Sequence, residues 1–114
     1  MEQIILDAKD VKRTADLPKD ELSGLEEAAK NGGWEKVNII AVIPNPYDRG
    51  YLTYAGNPEQ YVAEKHNKHL CAFVMQNDAD LLLMQRAYPK VDWPGENLGQ
   101  ITAYIAAWAE IRKH

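Results

Sequence analysis

Residues 37–43, Val-Asn-Ile-Ile-Ala-Val-Ile, constrain this chain more than any other stretch. The run is rich in β-branched residues, and its length suits a strand better than a helix. Pro44-Asn45-Pro46 ends it sharply, because proline cannot donate to a sheet ladder. A strand this apolar belongs in the middle of a sheet, and the rest of the chain has to bury it.

The flanking sequence supplies partners. Tyr51-Leu52-Thr53-Tyr54 reads as a second strand, joined to the first as a hairpin with a long connection. Residues 2–6 (Glu-Gln-Ile-Ile-Leu) read as a short strand. Asp16 suits a helix N-cap with Pro18 in the first turn, followed by Asp20 and Glu21 at the positive end. Leu22, Leu25 and Ala29 then recur at helical spacing, and Asn31-Gly32-Gly33 stops the helix. Asn57-Pro58-Glu59-Gln60 starts another helix, with Asn57 as cap and Gln60 closing a capping box, and it runs at least to His66. Residues 69–76 and 80–88 flank Asn77-Asp78-Ala79 and admit two readings, a β-hairpin of buried strands or two helices. The Leu, Met, Gln and Ala content favours helices, whereas the short apolar runs and turn chemistry favour strands, and the hairpin is the preferred reading. Residues 89–99 form a loop containing Trp93-Pro94-Gly95. A final helix over about 97–113 carries the stripe Ile101, Tyr104, Ile105, Trp108 and Ile111, with Arg112, Lys113 and His114 at its negative end. The expected fold is one α+β domain over residues 1–114. A mainly antiparallel sheet carries two or three helices packed on one face, in the order β-α-β-β-α-β-β-α.

Charge and cysteine usage narrow the function. The 114 residues hold 13 Lys and Arg against 17 Asp and Glu, a formal net charge of −4. That balance argues against nucleic-acid binding, which needs a basic surface to release counterions. No apolar run approaches the ~20 residues of a membrane helix, and the N-terminus has no positively charged region of a signal peptide. Cys71 is the sole cysteine, so no internal disulfide forms, and the reading is of a soluble cytoplasmic protein held by its core. Six Tyr and three Trp against one Phe suit half-buried, half-wet surfaces, which points to a homo-oligomer.

Chemistry-bearing residues concentrate in one region. Tyr47, Arg49, Tyr51 and Tyr54 fall between Pro46 and Gly56. Arg offers a planar fork for phosphate or carboxylate, Tyr a stacking face and a hydroxyl, and loops on rigid scaffolds often carry binding. If Tyr51 and Thr53 share one face of a strand, Tyr54 takes the other. Trp93 is a further aromatic candidate. His66, His69 and Cys71 match no standard zinc spacing, and Cys71 sits in an apolar run suited to a core. No phosphate-cradling loop or nucleophile elbow is present. Neither a metal nor a cofactor is expected, and no catalytic residue stands out.

Residues 69–95, from His-Leu-Cys-Ala-Phe-Val-Met-Gln through Leu-Leu-Leu-Met-Gln-Arg-Ala-Tyr-Pro to Trp-Pro-Gly, resemble the stretch that precedes the Nudix box in Nudix hydrolases. The resemblance implies a strand hairpin leading to a Gly-rich turn. The box itself is missing. Ile101 stands six residues after Gly95, where the family has Glu, and the last helix has Glu110 as its sole acid, too few carboxylates to hold magnesium.

The functional expectation is therefore a non-enzymatic binding or inhibitor protein. It occupies a protein partner through an aromatic-rich loop surface formed by Tyr47, Arg49, Tyr51, Tyr54 and Trp93. The alternative is sequestration of a small anionic ligand such as a nucleotide, held by Arg49 and the nearby tyrosines, at a subunit interface. A small hydrolase is the third reading.

Overall fold

The computed structural model describes residues 2–14, 17, 22–46, 48–87 and 97–112. Five strands form one sheet: β1 (Glu2–Asp7), β2 (Val11–Lys12), β3 (Ile39–Pro44), β4 (Tyr51–Ala55) and β5 (His69–Val74), in the spatial order β1-β5-β3-β4-β2. β1 pairs antiparallel with β5 over their full lengths, and β3 pairs antiparallel with β4. Shorter parallel ladders join β3 to β5 and β2 to β4. The sheet is mixed with antiparallel pairing dominant, and the chain is an α+β domain as its sequence indicates. β3 is the central strand, and β3 and β4 are the expected hairpin.

Four helices accompany the sheet: α1 (Leu22–Asn31), α2 (Asn57–His66), α3 (Asp78–Ala87) and α4 (Leu98–Arg112). Alternation along β3 sorts them. Ile40 and Val42 join a core with Leu70, Ala72, Val74, Val62 and Ala63, against which Leu22 and Leu25 of α1 pack. Ala41 and Ile43 join the opposite core, with Leu52, Tyr54, Leu81, Met84, Ile101 and Ile105. Two helices thus pack on one face, as expected, and α3 and α4 cover part of the other, which the one-face expectation did not include.

The sequence reading misses α3. β5 matches the first half of the expected 69–88 hairpin, but the second half is a helix rather than a strand. Asn77 Oδ1 accepts the Asp80 amide at 2.9 Å and Asp80 Oδ2 accepts the Gln76 amide at 3.0 Å, a capping exchange that starts a helix where the hairpin reading placed a turn. The implied Nudix-like hairpin goes with it. On α4, Ile101, Ile105 and Ala106 are buried, whereas Tyr104 faces solvent and Trp108 is half-buried. At about 100° per residue, Ile101, Ile105 and Ala106 span an arc of about 140°, and Tyr104 falls about 60° outside it. The expected starting signals Asp16, Pro18, Asp20 and Glu21 of the first helix lie outside the described residues, as do the Trp93-Pro94-Gly95 loop and the terminal Lys113 and His114.

At α2 the capping roles differ from expectation. Gly56, at φ +120°, precedes the helix, and Asn57 already belongs to it. Asn57 Oδ1 instead accepts the Thr14 amide at 2.8 Å and the Thr53 hydroxyl. Gln60 does not close a capping box; it points into the fold.

Candidate ligand-binding cleft

The 3-10 turn Ala8–Asp10 and β2 lie against α2, and Gln60 is the joint between them. This side chain is 2% exposed. Its Nε2 donates to Ala8 O at 2.9 Å and Val11 O at 3.0 Å. Its Oε1 accepts from Arg13 Nη1 at 2.8 Å. The opposite amide orientation would set oxygen against two carbonyls, so the network fixes the rotamer. Arg13 Nη1 also reaches Glu64 Oε2 at 3.3 Å, and its guanidinium sits 5.3 Å from the centroid of the Tyr61 ring, within cation–π range. Three contacts thus orient a side chain that would otherwise lose entropy on ordering.

Beside this joint lies a cleft of about 340 Å³, walled by Lys9, Lys12, Arg13, Gln60, Glu64 and Trp108, among others. The size lies within the range of small-molecule sites. A second cleft of about 410 Å³ shares Ala8, Lys9 and Glu64 with it and continues to Lys68 and His69. Lys12 pairs with Asp48 at 3.3 Å. Lys9 makes no ion pair among the described residues. The walls therefore combine cations, one carboxylate already engaged with Arg13, and an indole. A bound anion would meet guanidinium and ammonium groups, with a flat apolar surface beside them. Among the described residues no three His, Cys, Asp or Glu side chains converge on a metal position.

The sequence-derived candidates are dispersed. Arg49 is exposed in the β3–β4 connection, beside Asp48, whose Oδ1 accepts the Arg49 amide at 2.7 Å. That connection is fastened to the cleft side of the molecule by the Lys12–Asp48 pair and by Gly50, which has φ +86°, so close to Asp10 that an added Cβ would stand 2.5 Å from the Asp10 carbonyl oxygen. Tyr51 is half-buried against the α1–α2 core. Tyr54 is 6% exposed in the opposite core, and burial pushes its phenol pKa well up. A register shift of the β3–β4 ladder at Ala41/Val42 sets both Tyr54 and Ala55 toward α3 and α4. Thr53 lies on the same side as Tyr51, as alternation requires. Tyr47 and Trp93 fall outside the described residues. Cys71 is half-buried against Gln3 Nε2 rather than in either core.

Sequence reading overlooked Lys9, Lys12, Arg13 and Gln60. The first three are a compact basic group in the sequence, but they fall in a stretch without periodicity. Gln60 carried a competing local explanation as a capping residue.

No family model matches this chain, and no curated protein matches it either. Among solved structures, the C-terminally truncated chromosome-partitioning protein ParB from Caulobacter crescentus, complexed with CTP-gamma-S, is similar in fold, with a TM-score of 0.56 and 16% sequence identity over 82% of this chain. The match spans 57% of that ParB chain. At this identity the likeness is one of fold. No helix among the described residues is long and apolar enough to cross a membrane.

Proposed function

We propose that this protein binds a small anionic ligand of the nucleotide class in the cleft between the Ala8–Asp10 turn and α2, and acts by occupancy rather than by transforming it. The observation that carries this reading is the convergence of Lys9, Lys12 and Arg13 with Trp108 on one cleft of suitable size, with Arg13 held in place by buried Gln60. Phosphate oxygens would pair with the cations, replacing Glu64 on Arg13, and a base would lie along the indole. The fold's likeness to a ParB that was bound to a CTP analogue supports a nucleotide over other anions. Arg49 belongs to the same reading as an exposed cation of the neighbouring connection, which the Lys12–Asp48 pair ties to a lysine of the cleft wall.

Docking of a protein partner on Tyr47, Arg49, Tyr51, Tyr54 and Trp93 has less to stand on. Tyr54 is buried and Tyr51 largely committed to the core. Titration calorimetry with CTP, ATP and inorganic triphosphate tests the proposal. Saturable binding that weakens on Lys9→Glu and Arg49→Ala, with the fold kept, is expected. Absence of binding by all three at millimolar concentration, or binding indifferent to both substitutions, would sink it.

A further inference from the structure

We propose that the outer edge of β1 pairs antiparallel with β1 of a second copy of this chain, about a two-fold axis through Ile5. Among the described residues, no strand pairs with this edge. An edge strand presents unpaired N–H and C=O groups, and proteins that stay single usually blunt it with proline, lysine or a bulge. Residues 2–7, Glu-Gln-Ile-Ile-Leu-Asp, contain no proline and no lysine, and their ladder to β5 runs without a register shift.

The surface beside the edge is also uncovered. Ile5 stands opposite Cys71, and Cys71 opposite Ile39, in one row across β1, β5 and β3. Ile5 is 73% exposed and Ile39 39% exposed, because α3 and α4 pack toward β3 and β4 and stop short of this row.

A second copy fits because the strand is self-complementary. Read outward from Ile5 in either direction, Gln3-Ile4-Ile5-Leu6-Asp7 runs apolar, then polar. Antiparallel pairing centred on Ile5 sets Ile4 opposite the partner's Leu6 on the α1–α2 face, where both already pack against the core. On the open face it sets Ile5 opposite the partner's Ile5, flanked by the Gln3 amide opposite the partner's Asp7 carboxylate. The apolar row then runs unbroken across both copies. Competing registers do worse. Centring on Ile4 sets Ile5 against the partner's Gln3, and centring on Leu6 sets it against the partner's Asp7. A register centred between Ile4 and Ile5 opposes Glu2 to the partner's Asp7 and inverts one copy's faces. The result is an isologous interface that extends the sheet to ten strands.

The test uses the full chain. Sedimentation equilibrium from micromolar to near-millimolar concentration should show a monomer–dimer equilibrium. Ile5→Lys, at a side chain exposed in the single copy, should leave circular dichroism and melting unchanged at low concentration, where the parent is monomeric, and weaken dimerisation by at least about tenfold, since two like charges would face each other. In a Cys71→Ser background, Ile5→Cys should form a disulfide-linked dimer under mild oxidation. Facing Cα atoms in an antiparallel pair are about 4.5–5.5 Å apart, within disulfide reach. Gln3→Cys should not cross-link, because it faces the partner's residue 7. The cross-linking pair decides the matter if Ile5→Lys fails to fold. A chain that stays monomeric throughout, a dimer that survives Ile5→Lys, or equal cross-linking at positions 3 and 5 would each overturn the proposal.

Discussion

Gln60 reaches Arg13 from inside the fold: its Oε1 accepts from the guanidinium at 2.8 Å while its Nε2 holds two backbone carbonyls of the preceding turn and strand. One buried amide thus joins α2 to β2 and presents a cation to the cleft.

Gln60→Leu is a near-isosteric replacement that keeps the volume and removes the polar atoms. The Ala8 and Val11 carbonyls lose their Gln60 donor, and an unsatisfied buried polar group costs about 1–3 kcal/mol. A loss of roughly 2–4 kcal/mol in urea unfolding is expected. Anion affinity should fall as well, because Arg13 keeps its charge but loses its strongest positioning contact. A variant as stable as the parent would show that Gln60 is not the joint.

Lys9→Gln separates affinity from stability. Lys9 has no ion-pair partner among the described residues, so its removal should leave unfolding within about 0.5 kcal/mol of the parent. Loss of a charge-assisted contact to phosphate is worth about 1.5–3 kcal/mol, so nucleotide affinity should fall by roughly tenfold or more. Titration calorimetry at two salt concentrations checks it, and the parent's binding should weaken more steeply with salt than the variant's.

Glu26 of α1 meets both His66 and Lys65 of α2, the lysine at 3.0 Å. The hydrogen bonds from His66 and then Lys65 lower the Glu26 pKa below its ordinary 4.5, and the same contact raises that of Lys65. A carboxyl with a depressed folded-state pKa stabilises the fold above its unfolded value, and that contribution is lost as pH falls through the folded value. Unfolding curves should therefore show α1–α2 docking weakening below about pH 4.5. Glu26→Gln should flatten that acid limb while lowering stability at neutral pH. An unchanged acid limb would show that the cross-helix contact contributes nothing.

These contacts explain what was legible beforehand. The nearly continuous apolar run at 37–43 announced a central strand, and its lack of alternation already implied burial on both faces. The one-face expectation put the last helix, which is α4, on the same face as the others and did not include α3, so the two helices of the second layer were not recognised as a layer. Of those, α3 was hidden because Leu81, Leu82, Leu83 and Met84 form an apolar block with no period of its own. Its Leu, Met, Gln and Ala content leans to helix, and the Asn77 and Asp80 capping exchange decides it. The candidate site was legible even less. Tyr51 and Tyr54 signalled an aromatic surface, yet alternation sends one to each core. Gln60 and Arg13 meet across 47 residues, a distance that no local pattern encodes.

Gly56 is the final test of the architecture, because two independent constraints coincide there. Its φ of +120° is open to glycine and disfavoured for residues with a side chain. An added Cβ would stand 2.2 Å from Cγ2 and 2.6 Å from Cβ of Ile40, a fully packed residue of the central strand. Gly32 provides the control. It has φ +103° but nothing within 4 Å of an added Cβ, so Gly32→Ala pays backbone strain alone, about 1–2 kcal/mol. Gly56→Ala adds overpacking against β3 at a further 1–3 kcal/mol or more. Chemical denaturation of the two variants should therefore separate them, with Gly56→Ala the less stable. In Gly56→Ala, neither Ile40→Val nor Ile40→Ala would fully relieve the contact, since both keep the Cβ that stands 2.6 Å away, although Ile40→Ala would remove the Cγ2 clash while opening a cavity. Equal losses in Gly32→Ala and Gly56→Ala would mean that the entry to α2 does not press on the central strand.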